Sequence, residues 1–336
     1  MTGREEARAG GGGEGPARAR DGRRRAALIV NTRSRSGERT FFEALDRLGE
    51  LGVALGATYA VRDPVRLPET VREVLSEGSD YELLVLGGGD GSVSSVVDYL
   101  AHHDTVLGLL PLGTANDFAR TIGVPPDPVE AAEVALNGRQ HRIDVGLVND
   151  RPYLNVASVG IASKVVKQQS KALKRTWRVF AYAIALMQVA RSLNPFFARL
   201  ELDGKPAWWG FVHQVSIGNG RFHGGGLTVA EHAAIDDGRL DVYLVYPGRF
   251  WQLLASLLHL KFGLRKPDVL QHLSATEVHL STDRPRSVDA DGELATETPA
   301  TFRVSREALT VIIPRMLPRE ALGLSQALER PVGSDS

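Results

Sequence analysis

The chain contains no cysteine. That excludes disulfides, a thiolate metal site and a cysteine nucleophile, and it permits the cytosol. It has no charge excess either: 40 basic and 40 acidic side chains cancel, so nothing global points to nucleic acid. It also lacks a long hydrophobic run. The longest apolar stretch, Val179–Ala190, is about 12 residues, contains Gln188 and is flanked by Arg178 and Arg191, whereas a membrane-spanning helix needs ~20. Such a stretch reads as a buried or interfacial helix. Residues 1–25 have no apolar core, which excludes a secretory signal. Their Gly, Ala and Arg content predicts a disordered tail, with Arg18, Arg20, Arg23, Arg24 and Arg25 as candidate contacts for anionic lipid head groups. The nine histidines include no H-E-x-x-H spacing. His102, His103 and His213 read as surface or satisfied core residues, and no Ser-His-Asp arrangement can be argued.

Two glycine-rich turns about 25 residues apart carry most of the information. The first is Leu83-Leu84-Val85-Leu86-Gly87-Gly88-Gly89-Asp90-Gly91-Ser92. The second runs from Leu107 through Pro111-Leu112-Gly113-Thr114-Ala115-Asn116-Asp117 to Ala119. Each reads as a buried strand, a loop of small and polar residues, then a helix. Glycines let a ligand approach the backbone, and free N–H groups at a helix start attract anions. Phosphate is the natural ligand. Neither loop fits the G-x-G-x-x-G or G-x-x-x-x-G-K-[ST] signature.

At 336 residues and 43% hydrophobic, the chain has material for one or two cored domains. Strands at 26–31, 54–61, 82–86 and 106–110 alternate with helices at 40–51, 68–77, 92–102 and 129–137. That alternation predicts a doubly wound parallel sheet, with ligands beyond the carboxyl ends of its strands. The texture then changes. Short β-branched or aromatic segments at 140–148, 151–159, 198–202, 207–217, 239–246, 277–281 and 302–313 predict an antiparallel, β-rich second part, interrupted by helices near 174–192 and 250–262. Phe250, Trp251, Leu254, Leu257 and Leu258 form one face of the later helix, which reads as core packing or as an interfacial patch for lipid.

The strings GGGDGS and PLGTANDFAR resemble the catalytic domain shared by diacylglycerol kinases, sphingosine kinases and bacterial lipid kinases. Three further segments match in order: Asn31–Gly37; Ile217–Gly226 leading into Ala234–Val242; and Asp291-Gly292-Glu293. The resemblance covers about residues 26–315. It implies an α/β fold: a doubly wound, NAD-kinase-like nucleotide domain (26–140), then a β-sandwich-like second domain (141–308), with the active site in the cleft between them. Residues 309–327 would return to the first domain, and 328–336 would be disordered.

The implied reaction moves the γ-phosphoryl group of ATP to a lipid hydroxyl, most naturally that of diacylglycerol. Other lipid alcohols, NAD kinase activity and a nucleotide-binding regulatory protein without turnover are the alternatives. The expected Asn-Glu motif of NAD kinases is not visible. By resemblance, Asn31, Gly88, Gly89, Asp90, Gly91, Ser92, Gly113, Thr114 and Asn116 bind the nucleotide, with Ser92 capping the following helix. A magnesium site is implied at Asp237, with the carbonyls of Ala234 and Arg239. Glu293 is the implied proton acceptor and Asp90 its rival. Arg33, Arg35, Arg120 and Lys164 are candidate phosphate contacts. The expected setting is cytoplasmic, peripheral at the inner membrane surface, with membrane lipid as partner, no nucleic acid, and a homodimer open.

The sequence departs from the family after GGDG. The usual run there is Thr, an aliphatic residue, Asn and Glu; this chain has Ser92, Val93, Ser94 and Ser95. Loss of Asn and Glu predicts weakened nucleotide positioning. Val61 also stands where some relatives have a Thr near ATP.

Overall fold

The computed structural model describes residues 25–33, 42–43, 45–47, 49, 54–76, 81–160, 194–220, 222–223, 227–228, 234–247 and 270–316. The tail before residue 25, the helices expected near 174–192 and 250–262, the segments 319–327 and 328–336, and Arg35 and Lys164 lie outside these residues.

Strands β1 (Arg25–Asn31), β2 (Ala54–Val61), β3 (Leu83–Gly88) and β4 (Val106–Pro111) run parallel in the order β2-β1-β3-β4. Every residue of β3 and β4 is buried, as strands covered on both faces require. Helices Leu67–Val74, Asp90–Ser94, Val97–Leu100, Asp117–Thr121 and Pro128–Asn137 connect and cover the sheet. The winding reverses between β1 and β3, so the crevice beyond their carboxyl ends is the expected ligand site. Asn31 and the first glycine turn occupy it.

The later strands are β5 (Arg139–Val148), β6 (Arg151–Tyr153), β7 (Val156–Gly160), β8 (Phe196–Leu202), β9 (Lys205–Val212), β10 (Gln214–Gly218), β11 (Phe222–His223), β12 (Leu227–Thr228), β13 (Leu240–Val245), β14 (Leu270–Ala275), β15 (Glu277–Thr282), β16 (Ser287–Ala290), β17 (Glu293–Glu297) and β18 (Ala300–Ile313). A six-stranded antiparallel sheet has the order β14-β13-β10-β7-β16-β17. It packs on the β8, β15 and early β18 region through Phe196, Leu200, Ile217, Val242, Val278 and Phe302, which makes a sandwich.

The 14-residue strand β18 ties the halves together. Its start pairs with β15, while Val311 lies parallel beside Leu107 of β4. Strand β5 follows β18 along both halves. Accordingly Ile143 and Val145 pack in the first core, around Leu28, Leu84, Leu107 and Phe118, whereas Val148 packs in the second.

Four sequence expectations need correction. Arg25 is not tail; it opens β1 and lies over the Tyr81 ring at 5.6 Å. The helix expected over 92–102 is two short helices. Ser95 donates its hydroxyl to the Ser92 carbonyl at the break, a back-bond that bends helices, within a run of β-branched valines. The strand expected over 151–159 splits at Leu154-Asn155, whose N–H groups go to a side chain instead of a ladder. The strand expected over 207–217 splits at His213, where the chain leaves one sheet for the other and His213 N–H donates to the Val245 carbonyl.

Candidate active site

The two glycine turns meet backbone to backbone. A Cβ on Gly89 would stand 2.9 Å from the Gly113 Cα, and one on Gly113 would stand 2.6 Å from the Gly89 Cα. Real Cβ atoms do not approach that closely, so both positions require glycine. Gly91 is different: a Cβ there would meet nothing, so this exposed stretch of backbone faces open space. A small crevice of about 10 Å³ lies between the turns and is lined by Gly88, Gly89, Asp90, Val93, Asn116 and Phe118.

Polar side chains brace this junction. Asp90 is the first residue of its helix, and its carboxylate accepts the Phe118 N–H at 3.0 Å. It therefore caps the helix that follows the second turn. Asn116 is left-handed at φ 50°; its carbonyl oxygen accepts the Gly113 N–H at 2.9 Å and its amide donates to the Gly113 carbonyl at 3.0 Å. Thr114 is exposed, and its hydroxyl has no hydrogen-bond partner among the described residues. Asn31 donates to the Ser92 hydroxyl at 3.0 Å and accepts the Arg33 N–H at 3.2 Å.

One implied role changes. Ser92 is not the helix cap: Gly89 holds that place, and Ser92 is buried in the first turn against Asn31. Asn116 spends its carbonyl oxygen and one of its two amide hydrogens on Gly113, which leaves one donor for a ligand. Arg120 donates to the Ala115 carbonyl at 3.4 Å. Arg33 is exposed beside Asn31.

The Asp291-Gly292-Glu293 turn joins β16 to β17 and docks on this junction. Asp291 is left-handed at φ 48°. Its carboxylate accepts the N–H groups of Leu154 at 2.7 Å, Asn155 at 2.9 Å and Val156 at 3.1 Å. The Ser94 hydroxyl, one helical turn beyond Asp90, donates to the same carboxylate at 3.3 Å. The turn is thus fastened to the helix of the first glycine loop. Beneath it, burial foremost and the Asp291 charge next push the Tyr153 phenol well above its ordinary pKa, so it stays neutral. Glu293 opens β17, exposed, and its carboxylate makes no hydrogen bond or ion pair among the described residues.

The implied metal turn is a separate feature. Asp144 accepts the Gly238 N–H at 2.6 Å and the Glu307 N–H at 2.8 Å, which fixes the turn's backbone. The Asp237 carboxylate accepts the Arg239 N–H at 2.9 Å, and the Ala234 carbonyl accepts the Asp237 N–H at 3.4 Å. Burial, and then repulsion from Asp241, Asp144 and Asp236, raise Asp237 to about 6, although part of it reaches solvent. An all-oxygen donor set in a negative surrounding fits a hard divalent cation. Among the described residues no group of three or more His, Asp or Glu side chains has a metal-holding arrangement.

Sequence reasoning gave Asp291 and Asp144 no role. The Asp291-Gly292 pair was the available signal for the first, since Asp tolerates the left-handed region and caps local N–H groups. Asp144, inside a strand, offered none.

Comparison with known proteins matches this arrangement. Residues 25–148 match the diacylglycerol kinase catalytic domain, and residues 155–313 match the YegS C-terminal NAD kinase beta sandwich-like domain. A protein of Pseudomonas fluorescens strain Pf-5 named "Probable lipid kinase YegS-like" is 34% identical over 301 residues, which are 88% of this chain and 97% of that one. The chain belongs to the diacylglycerol kinase and YegS family of lipid kinases. Another relative, named "Diacylglycerol kinase", from Staphylococcus carnosus, is 28% identical over 87% of this chain and 96% of its own. The crystal structure of a diacylglycerol kinase from Bacillus anthracis str. Sterne superposes with a TM-score of 0.68 at 22% identity, over 86% of this chain and 96% of the other, and shows the same fold. As a family member, this lipid kinase uses ATP and a lipid as its substrates. No helix among its described residues is long and apolar enough to cross a membrane.

Proposed function

We propose that this lipid kinase phosphorylates diacylglycerol to phosphatidic acid in the cleft between the glycine turns and the Asp291–Glu293 turn. The observation that carries this reading is the docking of that turn on the phosphate-loop helix through Ser94 and Asp291. It brings the first glycine turn and the turn that leads into the exposed Glu293 into one region.

The roles follow from the chemistry. The N–H groups of Gly89, Asp90 and Gly91 at a helix start, with the open space at Gly91, receive phosphate oxygens. The Thr114 hydroxyl supplies a further contact. Asp90 and Asn116 hold the two turns in register. Glu293 takes the proton of the lipid hydroxyl as its oxygen bonds to the γ-phosphorus; the bond from that phosphorus to the β,γ-bridging oxygen breaks, and ADP leaves. Magnesium would be held by Asp237 with the Ala234 and Arg239 carbonyls. There it supplies positive charge that orders an acidic turn and stabilises the fold. The phosphate-site and proton-acceptor roles are independent of that turn.

The test is transfer of label from γ-labelled ATP to mixed micelles containing diacylglycerol, a sphingoid base or phosphatidylglycerol, with NAD as a soluble arm. The reading expects labelled phosphatidic acid as the main product. Preferential labelling of another lipid keeps the kinase and replaces the substrate. The panel is needed because the relatives' names differ: one states diacylglycerol, others only lipid kinase.

A further inference from the structure

The residues after the first glycine turn are where this chain leaves its family's pattern, and they face the second half of the molecule. Ser94 donates to Asp291 at 3.3 Å. Four residues on, Asp98 lies close enough to Arg151 to feel its charge, and burial pushes its carboxyl up against that pull. Arg151 in turn donates to the Leu294 carbonyl at 3.3 Å, on the strand that Glu293 opens. Ser94 thus contacts the Asp291 side of the turn, while Arg151, within range of the Asp98 charge, contacts its β17 side. Ser95 does not take part; its hydroxyl is spent on the Ser92 carbonyl.

We propose that Ser94 is a positioning residue for phosphoryl transfer: its hydroxyl, donating to Asp291, sets the separation between the phosphate loop Gly87–Gly91 and the turn that carries Glu293. Asp291 is already anchored to three backbone N–H groups of the link between β6 and β7, so it transmits the Ser94 contact to that link. At 3.3 Å the bond is long for a hydroxyl and a carboxylate. The serine makes this contact at a place where the family pattern puts a larger amide. This inference rests on Glu293 being the proton acceptor.

The test uses the full chain, ATP and diacylglycerol micelles, with Ser94→Ala, Ser94→Thr and Glu293→Gln compared with the parent. Ser94→Ala should lower kcat about 10- to 100-fold, the range for misplacing a reacting group. KM for ATP and the melting temperature should stay at parent values, and Ser94→Thr, which keeps the hydroxyl, should recover most of the rate. Parent kcat in Ser94→Ala, equal losses in the Ala and Thr variants, or a change confined to KM for ATP would each overturn it. Glu293→Gln separates the two ideas. If it is impaired while Ser94→Ala is normal, the positioning inference fails and the base reading stands. If it turns over at the parent rate, the base reading fails and takes the inference with it.

Discussion

At the scale of single residues, contact between two backbones fixes the identity of Gly89 and Gly113. Gly89 and Gly113 are glycine because each touches the other. Gly89→Ala should therefore cost about 1–3 kcal/mol of stability as overpacking does, and turnover should fall with it; thermal unfolding and the kinase assay read both. Gly91→Ala has room and should leave the melting temperature unchanged. Asp90 separates in a similar way. Its carboxylate caps the Asp117–Thr121 helix at Phe118, so Asp90→Ala should lose about 1 kcal/mol, the usual value of such a cap. Asp90→Asn keeps an acceptor and should hold its stability. If the negative charge serves the phosphate site, both variants lose turnover; an Asp90→Asn protein with full activity would leave Asp90 a purely structural role.

At the scale of elements, the Asp291 turn is the piece on which the site's assembly depends. Asp291→Asn leaves one acceptor oxygen for three N–H groups and sets a donor against them. It should cost about 2–3 kcal/mol, as losing hydrogen bonds to a charged group does, and a denaturant melt checks it. Legibility in the sequence follows burial. Strands β1, β3 and β4 stand out because they are apolar on both faces, and the glycine turns stand out by contrast with them. Strand β17 is an exposed edge strand without a buried face, so Glu293–Glu297 carries no alternation to read. The break between β6 and β7 was equally silent. Its cause, Asp291, lies more than a hundred residues away, and local pattern cannot report such a partner. The candidate residues were legible through motifs; what they touch was not. Hence the motif does not show that Ser92 and Asn116 also brace the loops.

At the scale of the whole molecule, β18 and β5 run through both halves, so the halves share a sheet and are not two beads on a linker, while the Asp291 turn belongs to the second, six-stranded sheet. Metal binding at the Asp237 turn would stabilise that frame without entering the reaction. Magnesium should raise the melting temperature of the parent, since a ligand bound only to the folded state adds stability. It should do so much less in Asp237→Ala; equal responses would remove the turn as its site. The central claim is that lipid phosphorylation occurs where the Glu293 turn meets the phosphate loop. Its most direct measurement is the rate of labelled phosphate transfer from ATP to diacylglycerol by Glu293→Gln, beside ATP binding on the same protein. Glutamine keeps the shape and cannot accept the proton. The account predicts a rate lower by about 10²–10⁴, the range for loss of a general base, with ATP binding retained. A Glu293→Gln enzyme that phosphorylates diacylglycerol at the parent rate would contradict it.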